Sequence, residues 1–223
     1  MKWLFVLFFS FTLLPNIFSQ TKLIVINPEK DILSSIPTED IYAYAEFVDG
    51  SIHKKNGKSI QRKMNYHILF DRMQYINSAG DTLDVDDDSF EFIVLEKDTF
   101  YHSRFYYRVL KDYDKIRLVS RNVFVFLNMQ KTSTGAYYNS YQVINNGHFL
   151  RGISPKDTVL LTKAQLYYMA DVKNNIQTLH RENLIEIYPH RKKALLNYLY
   201  EHTVNLNNLD EIEKMLNFLT TKK

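Results

Sequence analysis

The alternation of apolar and polar side chains in the stretch Lys63–Leu83 constrains the fold more than any other feature of this sequence. Every second residue in Met64–Phe70 is apolar, which is the period of an extended strand with one buried face. The phase slips by one residue before Met73, so we predict a bulge or break near Asp71 and Arg72. The stretch therefore predicts short antiparallel strands rather than helix.

Turn signals extend this pattern in both directions. Asp49-Gly50 and Asn56-Gly57 predict tight hairpins, because both residues of each pair accept positive φ, and they place strands at Ile41–Val48 and Ser51–Lys55. Further turn signals follow roughly every eight to twelve residues, as in antiparallel all-β proteins. The Ser-, Asn- and Tyr-rich segment Asn128–Gly152 is the longest predicted loop, although its part from Tyr141 can also form a strand. The segments Thr158–Thr162 and Gln165–Met169 are predicted as a closing pair of strands.

The apolar period changes to that of a helix after about Asp171. Leu195, Tyr198 and Leu199 have helical spacing. Asn208 with Glu211 three residues later predicts an N-cap with a capping-box partner. We therefore predict two or three short amphipathic helices, whose apolar faces need the sheet as a packing partner.

The predicted fold class is α+β: an antiparallel β-meander forming a curled or barrel-like sheet, with a C-terminal tail of two or three short α-helices. The predicted domains are a signal peptide at 1–20, an antiparallel β domain at 21–170 and a helical tail at 171–223 packed on the sheet. A membrane barrel is disfavoured, because most predicted strands are shorter than the roughly 9–11 residues that such barrels use and the chain ends in helices.

The N-terminus predicts export. Lys2 is followed by apolar or small residues up to Leu14, a run shorter than the roughly 20 residues of a membrane-spanning helix. An N-terminal anchor or a buried helix is the alternative. The chain has no cysteine to carry a lipid, so it is not predicted to be a lipoprotein. We expect a periplasmic, outer-membrane-associated or secreted protein with no transmembrane span in the mature chain.

Composition excludes several classes of function. A net charge of +3 indicates a balanced surface, which does not favour nucleic acid as a partner. The acidic run Asp84–Asp88 fails the calcium-loop pattern, because Ser89 and Leu95 stand where that loop needs Gly and Glu. No cofactor and no metal site is predicted, and no Gly-x-Ser-x-Gly elbow is present. Enzymatic activity is disfavoured, but two carboxylates that converge in space would indicate an envelope hydrolase or carbohydrate-active enzyme.

Two segments of the chain resemble a family of exported Bacteroidetes proteins of unknown function. The first contains the motifs MNYHILFDRMQYI, GDTL and FYYRVL within Lys63–Val119. The second contains a Tyr-Pro step and the helix KKALLNYL within Ile176–Leu219. The resemblance implies an exported, sheet-rich protein with a helical tail, and it implies no activity.

A group of tyrosines and arginines is the predicted binding site. A tyrosine ring offers a stacking face and a polar handle, which suits a glycan or another envelope protein. Strand alternation predicts that half of these rings pack in the core instead. The predicted function is a non-enzymatic binding or interaction protein of the cell envelope, with the oligomeric state open. The predicted site residues are Tyr101, Arg104, Tyr106, Arg108, Tyr137, Tyr138 and Tyr141.

Overall fold

One antiparallel sheet organises the chain in the computed structural model, which describes residues 24–26, 36–131, 137–144 and 159–221. For 25–26, 126–131, 137–144 and 159 the description covers the backbone alone. The described strands are β1 (Ile24–Ile26), β2 (Val48–Lys54), β3 (Ser59–His67), β4 (Arg72–Ile76), β5 (Thr82–Asp84), β6 (Phe90–Leu95), β7 (Asp98–His102), β8 (Tyr106–Asp112), β9 (Arg117–Lys131), β10 (Tyr137–Ile144), β11 (Val159–Ala170) and β12 (Ile176–Thr178).

The helices lie mainly at the C-terminal end of the described chain. A short helix, α1 (Thr38–Ile41), precedes β2. After β12 come α2 (Arg181–Ile187), a 3-10 turn (Pro189–Arg191), α3 (Lys192–Glu201) and α4 (Leu209–Thr220). None of the helices in the described ranges is long and apolar enough to cross a membrane.

The strands pair in the order β1-β11-β9-β8-β7-β6-β2-β3-β4-β5, with β10 on β9 and β12 on β11 outside this path. Strand β9 pairs β11 along one edge. Its other edge pairs β8 at Arg117–Ser120 and β10 at Phe124–Lys131, so the sheet forks around Arg121.

The sheet is curled and its path has two ends. Strands β3 and β8 are four pairing steps apart, which is roughly 19 Å in a flat sheet at about 4.8 Å a step. The rings of Tyr66 on β3 and Tyr106 on β8 nevertheless lie 5.7 Å apart. The part of the sheet that contains β3 and the part that contains β8, its two arms, must therefore bend towards each other. The prediction of an α+β fold with a curled antiparallel sheet and a helical tail is confirmed, and the sheet is not closed.

The curl encloses a first core, which lies between the two arms of the sheet. Its apolar members include Met64, Met73, Ile93 and Leu95, each 0 % exposed. Polar residues are buried beside them: Asp40, Asn65, His67, Asp71 and Arg121. Burying such groups is costly unless each is hydrogen-bonded or paired, so this core depends on specific polar contacts.

A second core, the tail core, joins the helices to the ends of β9 and β11. Its buried members carry no charge: Ile116, Leu118, Met169, Leu179, Leu184, Tyr188, Leu195, Ile212, Met215, Leu216 and Leu219. The Asn208 side chain caps α4 by accepting hydrogen bonds from the backbone N–H of Asp210 and Glu211, at 3.0 and 3.4 Å. This confirms the N-cap, but the carboxylate of Glu211 accepts from the Asn205 N–H at 2.7 Å rather than from Asn208.

The predicted turn at Asp49-Gly50 is wrong, and so is the strand Ile41–Val48. Ile41 ends α1, and Asp49 and Gly50 lie inside β2. A Cβ on Gly50 would lie 2.6 Å from Leu95 Cδ2 and 2.9 Å from the Val94 carbonyl oxygen. Glycine is therefore needed here for the close approach of β6 rather than for positive φ. The turn at Asn56-Gly57 is confirmed, with Gly57 at φ 79°.

The phase slip near Asp71 marks the turn of a hairpin. Strands β3 and β4 pair directly across it, with His67 opposite Arg72, and Asp71 closes the turn at φ 55°. The prediction of a break is thus confirmed, whereas no bulge lies there.

The predicted loop Asn128–Gly152 is wrong within the described ranges. Strand β9 continues to Lys131, and β10 runs from Tyr137, earlier than the predicted Tyr141. The closing pair predicted at residues 158–162 and 165–169 is one strand, β11. The predicted signal peptide and the segment 145–158 lie outside the described residues.

Candidate functional site

A polar cleft of about 290 Å³ opens at one end of the sheet. Three connections meet there: the β3–β4 turn, the β5–β6 connection and the β7–β8 connection. The curl of the sheet brings them together, although they are distant in sequence. The cleft is lined by Phe70, Asp71, Arg72, Asp84, Val85, Asp87, His102 and Arg104.

Asp71 forms a buried wall of the cleft, with a side chain only 4 % exposed. Its Oδ1 accepts a short hydrogen bond from the Tyr66 hydroxyl and one from the Tyr106 N–H at 3.3 Å. Its Oδ2 lies 3.5 Å from Nη2 of Arg121, whose guanidinium stacks 3.5 Å from the Phe105 ring centroid. Burial raises the pKa of Asp71, while Tyr66 and Arg121 oppose that shift.

A second wall contains an exposed ion pair. Arg72 donates a short hydrogen bond to Oδ2 of Asp84, and Gln74 Nε2 donates to Oδ1 at 2.8 Å. Gln74 in turn accepts from the Tyr42 hydroxyl at 2.8 Å. Desolvation alone would raise the pKa of Asp84, but the hydrogen bonds from Gln74 and Arg72 outweigh it and hold this pKa below its usual value.

The third wall is built around Asp87. The Tyr106 hydroxyl donates a short hydrogen bond to its Oδ1, and His102 Nε2 lies 3.6 Å from its Oδ2. Burial of Tyr106, with its bond to Asp87, raises the pKa of the phenol well above its usual value. Tyr106 therefore acts as a neutral donor that holds the Asp87 carboxylate in place.

Each carboxylate oxygen that lines the cleft has a partner within the protein, whereas the Arg104 guanidinium has none among the described residues. Arg104 is exposed, and it forms no ion pair or hydrogen bond with any residue in the described part of the chain. Its guanidinium carbon lies 5.4 Å from the Phe105 ring centroid. Arg104 is therefore the cleft-lining guanidinium that has no carboxylate partner among the described residues.

The predicted site residues do not form one surface. Arg104 lines the cleft, and Tyr106, only 1 % exposed, supports it from behind. Arg108 pairs with Asp98 at 3.3 Å, away from the cleft lining. Tyr101 lies on the opposite face of the sheet from Arg108, since it pairs with Tyr107 in the register of β7 and β8.

Three further predicted site residues lie on β10. The backbones of Tyr137, Tyr138 and Tyr141 pair with Lys131, Gln130 and Leu127 of β9. Their side chains lie outside the described residues. Their part in a binding site stays a prediction.

Most residues that line the cleft were missed by sequence reasoning. Asp84 and Asp87 were considered only as part of a calcium loop, whose pattern the sequence does not match, and Asp71 with Arg72 only as a bulge or break. The available signal for the site was Asp71, a carboxylate at the point where an apolar strand breaks. A buried Asp at such a point requires partners from elsewhere in the fold. Within the described ranges, no group of three or more His, Asp or Glu side chains is arranged to hold a metal ion.

Comparison with known proteins adds no relative. No protein-family model matches the chain, and neither a curated protein nor a solved structure shows significant similarity to it. The resemblance to an exported Bacteroidetes family stays a prediction.

Proposed function

We propose that this chain is an exported binding protein of the cell envelope and that the polar cleft holds its ligand, a segment of a glycan. The observation that carries the proposal is the Arg104 guanidinium, which lines the cleft and has no carboxylate partner in the described part of the chain, whereas Arg72 pairs with Asp84. A fixed, concave arrangement of polar groups with one free charge suits recognition of a ligand.

The size and lining of the cleft support a small, hydroxyl-rich ligand. Its volume of about 290 Å³ lies near the lower end of the roughly 300–1,000 Å³ typical of small-molecule sites. Most such sites are lined mainly by apolar groups, but Phe70 and Val85 are the two apolar residues among the eight that line this cleft. A sugar unit fits this lining better than an apolar molecule.

The internal hydrogen bonds favour binding over catalysis by carboxylates. A general base or nucleophile needs an oxygen free to reach the reacting atom. Both oxygens of Asp71 and both oxygens of Asp84 already accept from donors within the protein. These carboxylates therefore serve better as fixed acceptors than as reactive groups.

Export is supported by the sequence alone. The apolar run after Lys2 has the length of a signal-peptide core. Fractionation of cells that express the full chain, with sizing of the exported form, tests this part. Retention of the full-length chain in the cytoplasm would overturn it.

Binding is tested by screening the exported chain against oligosaccharides from bacterial envelopes and from polysaccharides outside the cell. Replacing both Arg72 and Asp84 with alanine should weaken binding about tenfold or more, because one wall loses its charge-assisted hydrogen bonds. The matched control replaces Arg181 and Glu182, an exposed pair 2.7 Å apart on α2, and should bind normally. Absence of any glycan ligand, or equal binding by both double variants, would overturn the proposal.

A second candidate is an envelope hydrolase or carbohydrate-active enzyme. It is favoured by one observation: Asp71 and Asp84 line the same cleft, with pKa values shifted upward and downward respectively, as in pairs that divide acid and base roles. Release of reducing sugar from a bound glycan, abolished by Asp84→Asn with binding retained, would establish this candidate. Intact ligand recovered after prolonged incubation would exclude it for that ligand.

A further inference from the structure

We propose that the ligand carries a carboxylate, as in a uronic acid, and that Arg104 binds this group. The inference rests on the proposed function, because it names the chemical class of the glycan that the cleft takes.

Arg104 is the cation of the cleft lining that is available to a negatively charged ligand. Arg72 is matched by Asp84, His102 lies beside Asp87, and Asp71 lies beside Arg121. Arg104 is then the one cation of the cleft lining without a matching carboxylate in the described chain. A planar guanidinium binds a planar carboxylate through two parallel hydrogen bonds.

The same charges disfavour a more highly charged ligand. Asp84 and Asp87 line the cleft with Arg104, so a phosphate with two negative charges would meet like charges at short range. A carboxylate with a single charge satisfies Arg104 at a lower electrostatic cost.

The remaining lining suits the rest of a sugar ring. Phe70 lines the cleft, and its ring stacks on His67 with centroids 4.7 Å apart, which fixes its orientation. Sugar rings present apolar C–H faces to such rings. Each carboxylate oxygen of Asp84 and Asp87 has a second lone pair, which can accept a hydrogen bond from a sugar hydroxyl.

The test compares three probes by titration calorimetry on the exported chain. They are an oligogalacturonide, the same oligosaccharide with its carboxyls methyl-esterified, and an oligoglutamate peptide. The free acid should bind at least about tenfold more tightly than the ester, because hydrogen bonds to a charged group are stronger than hydrogen bonds to a neutral one.

Variants assign that preference to one side chain. Arg104→Gln should remove most of the preference for the free acid, because it should weaken binding of the free acid far more than binding of the ester. Arg104→Lys should restore part of it. Arg181→Gln, an exposed arginine on α2, should behave as the unaltered chain does.

The outcomes distinguish failure of the carboxylate inference from failure of the proposed glycan binding. Equal binding of acid and ester, or a preference unchanged in Arg104→Gln, overturns the carboxylate inference and leaves glycan binding standing. Binding of the peptide but of neither oligosaccharide overturns the assignment to an acidic sugar. Failure of every glycan in the wider screen overturns the proposed function itself.

Discussion

The two larger cores of this molecule are stabilised by different kinds of contact. The first core, between the arms of the curled sheet, buries Asp71 and Arg121 together with His67 and Asn65. The tail core buries only uncharged, mainly aliphatic side chains from the helices and from the ends of β9 and β11. Both cores use the same strand, β9, since Leu118 belongs to the tail core and Phe124 to the first core.

The difference shows which core needs specific polar contacts for its stability and which needs only apolar side chains of the right volume. In the tail core, apolar side chains of similar size can replace one another at low cost. In the first core, each buried polar group requires its own partner, and the loss of one partner leaves another group unsatisfied. The candidate site lies against the first core, so its geometry depends on the more specific of the two.

The largest effect is expected for Asp71→Ala in the first core. The variant leaves Arg121 buried without its carboxylate and the Tyr66 hydroxyl without its acceptor. The loss in unfolding free energy should be about 3–5 kcal/mol, as for other broken buried ion pairs. Urea denaturation measures it. Asp71→Asn, which keeps a hydrogen-bonding side chain that tolerates positive φ, should lose less; an alanine variant as stable as the parent would contradict the account.

A slightly smaller loss is expected for Leu216→Ala in the tail core. Leu216 is 0 % exposed, and its truncation leaves a cavity that costs about 3 kcal/mol. Leu216→Met, which conserves volume, should cost less than about 1.5 kcal/mol. The same denaturation series gives both values. Equal losses in the two variants would show that shape matters in this core as much as in the first.

The cores should also differ in their response to acid. Burial lowers the pKa of His67 from 6.5 to about 4, and its Nδ1 accepts from the Phe70 N–H at 3.2 Å. The unfolded chain therefore binds a proton that the folded chain does not, so stability falls as pH falls from 6.5 towards 4. We expect a loss of roughly 2 kcal/mol by pH 5 from this group.

The control for this pH effect is His67→Asn, which keeps an acceptor near Nδ1 but does not titrate. The difference in unfolding free energy between parent and variant should shrink as the pH is lowered from 7 to 5. A difference that stays constant with pH would show that His67 titrates alike in both states.

The smallest effect is expected at the start of α4. Asn208→Ala removes the acceptor for the Asp210 and Glu211 N–H groups and should cost about 1 kcal/mol. Asn208→Ser, whose side chain is another good N-cap, should restore most of the lost unfolding free energy. The measurement is again denaturation, and a neutral alanine variant would show that the bond from Asn205 to Glu211 suffices to start the helix.

The general architecture was predictable from two periods in the sequence. The alternation in Met64–Phe70 and the helical spacing after residue 180 show which side chains are buried, because buried residues recur with the period of the strand or helix that contains them. The turn predicted at Asp49-Gly50 was wrong, because a glycine can serve either a turn or a close approach between strands, and the local sequence does not distinguish these two uses.

The candidate site was less predictable, because its parts are distant in the chain. Arg104 was among the predicted binding residues, but Asp71 and Asp87 acquire their surroundings from Tyr66, Tyr106 and Arg121. Those neighbours come together only when the sheet curls. The curl depends on packing between the arms, which no local pattern records.

The ion pair between Asp71 and Arg121 also bears on how long the folded state lasts. The two residues are 50 positions apart, and they meet across the arms of the sheet at the fork of β9. Contacts that form only after the transition state of folding slow unfolding without speeding folding. We expect the Asp71–Arg121 contact to be one of these. We therefore expect Asp71→Ala to unfold much faster than the parent in stopped-flow experiments while refolding at nearly the same rate. On this view the pair sets the lifetime of the folded chain.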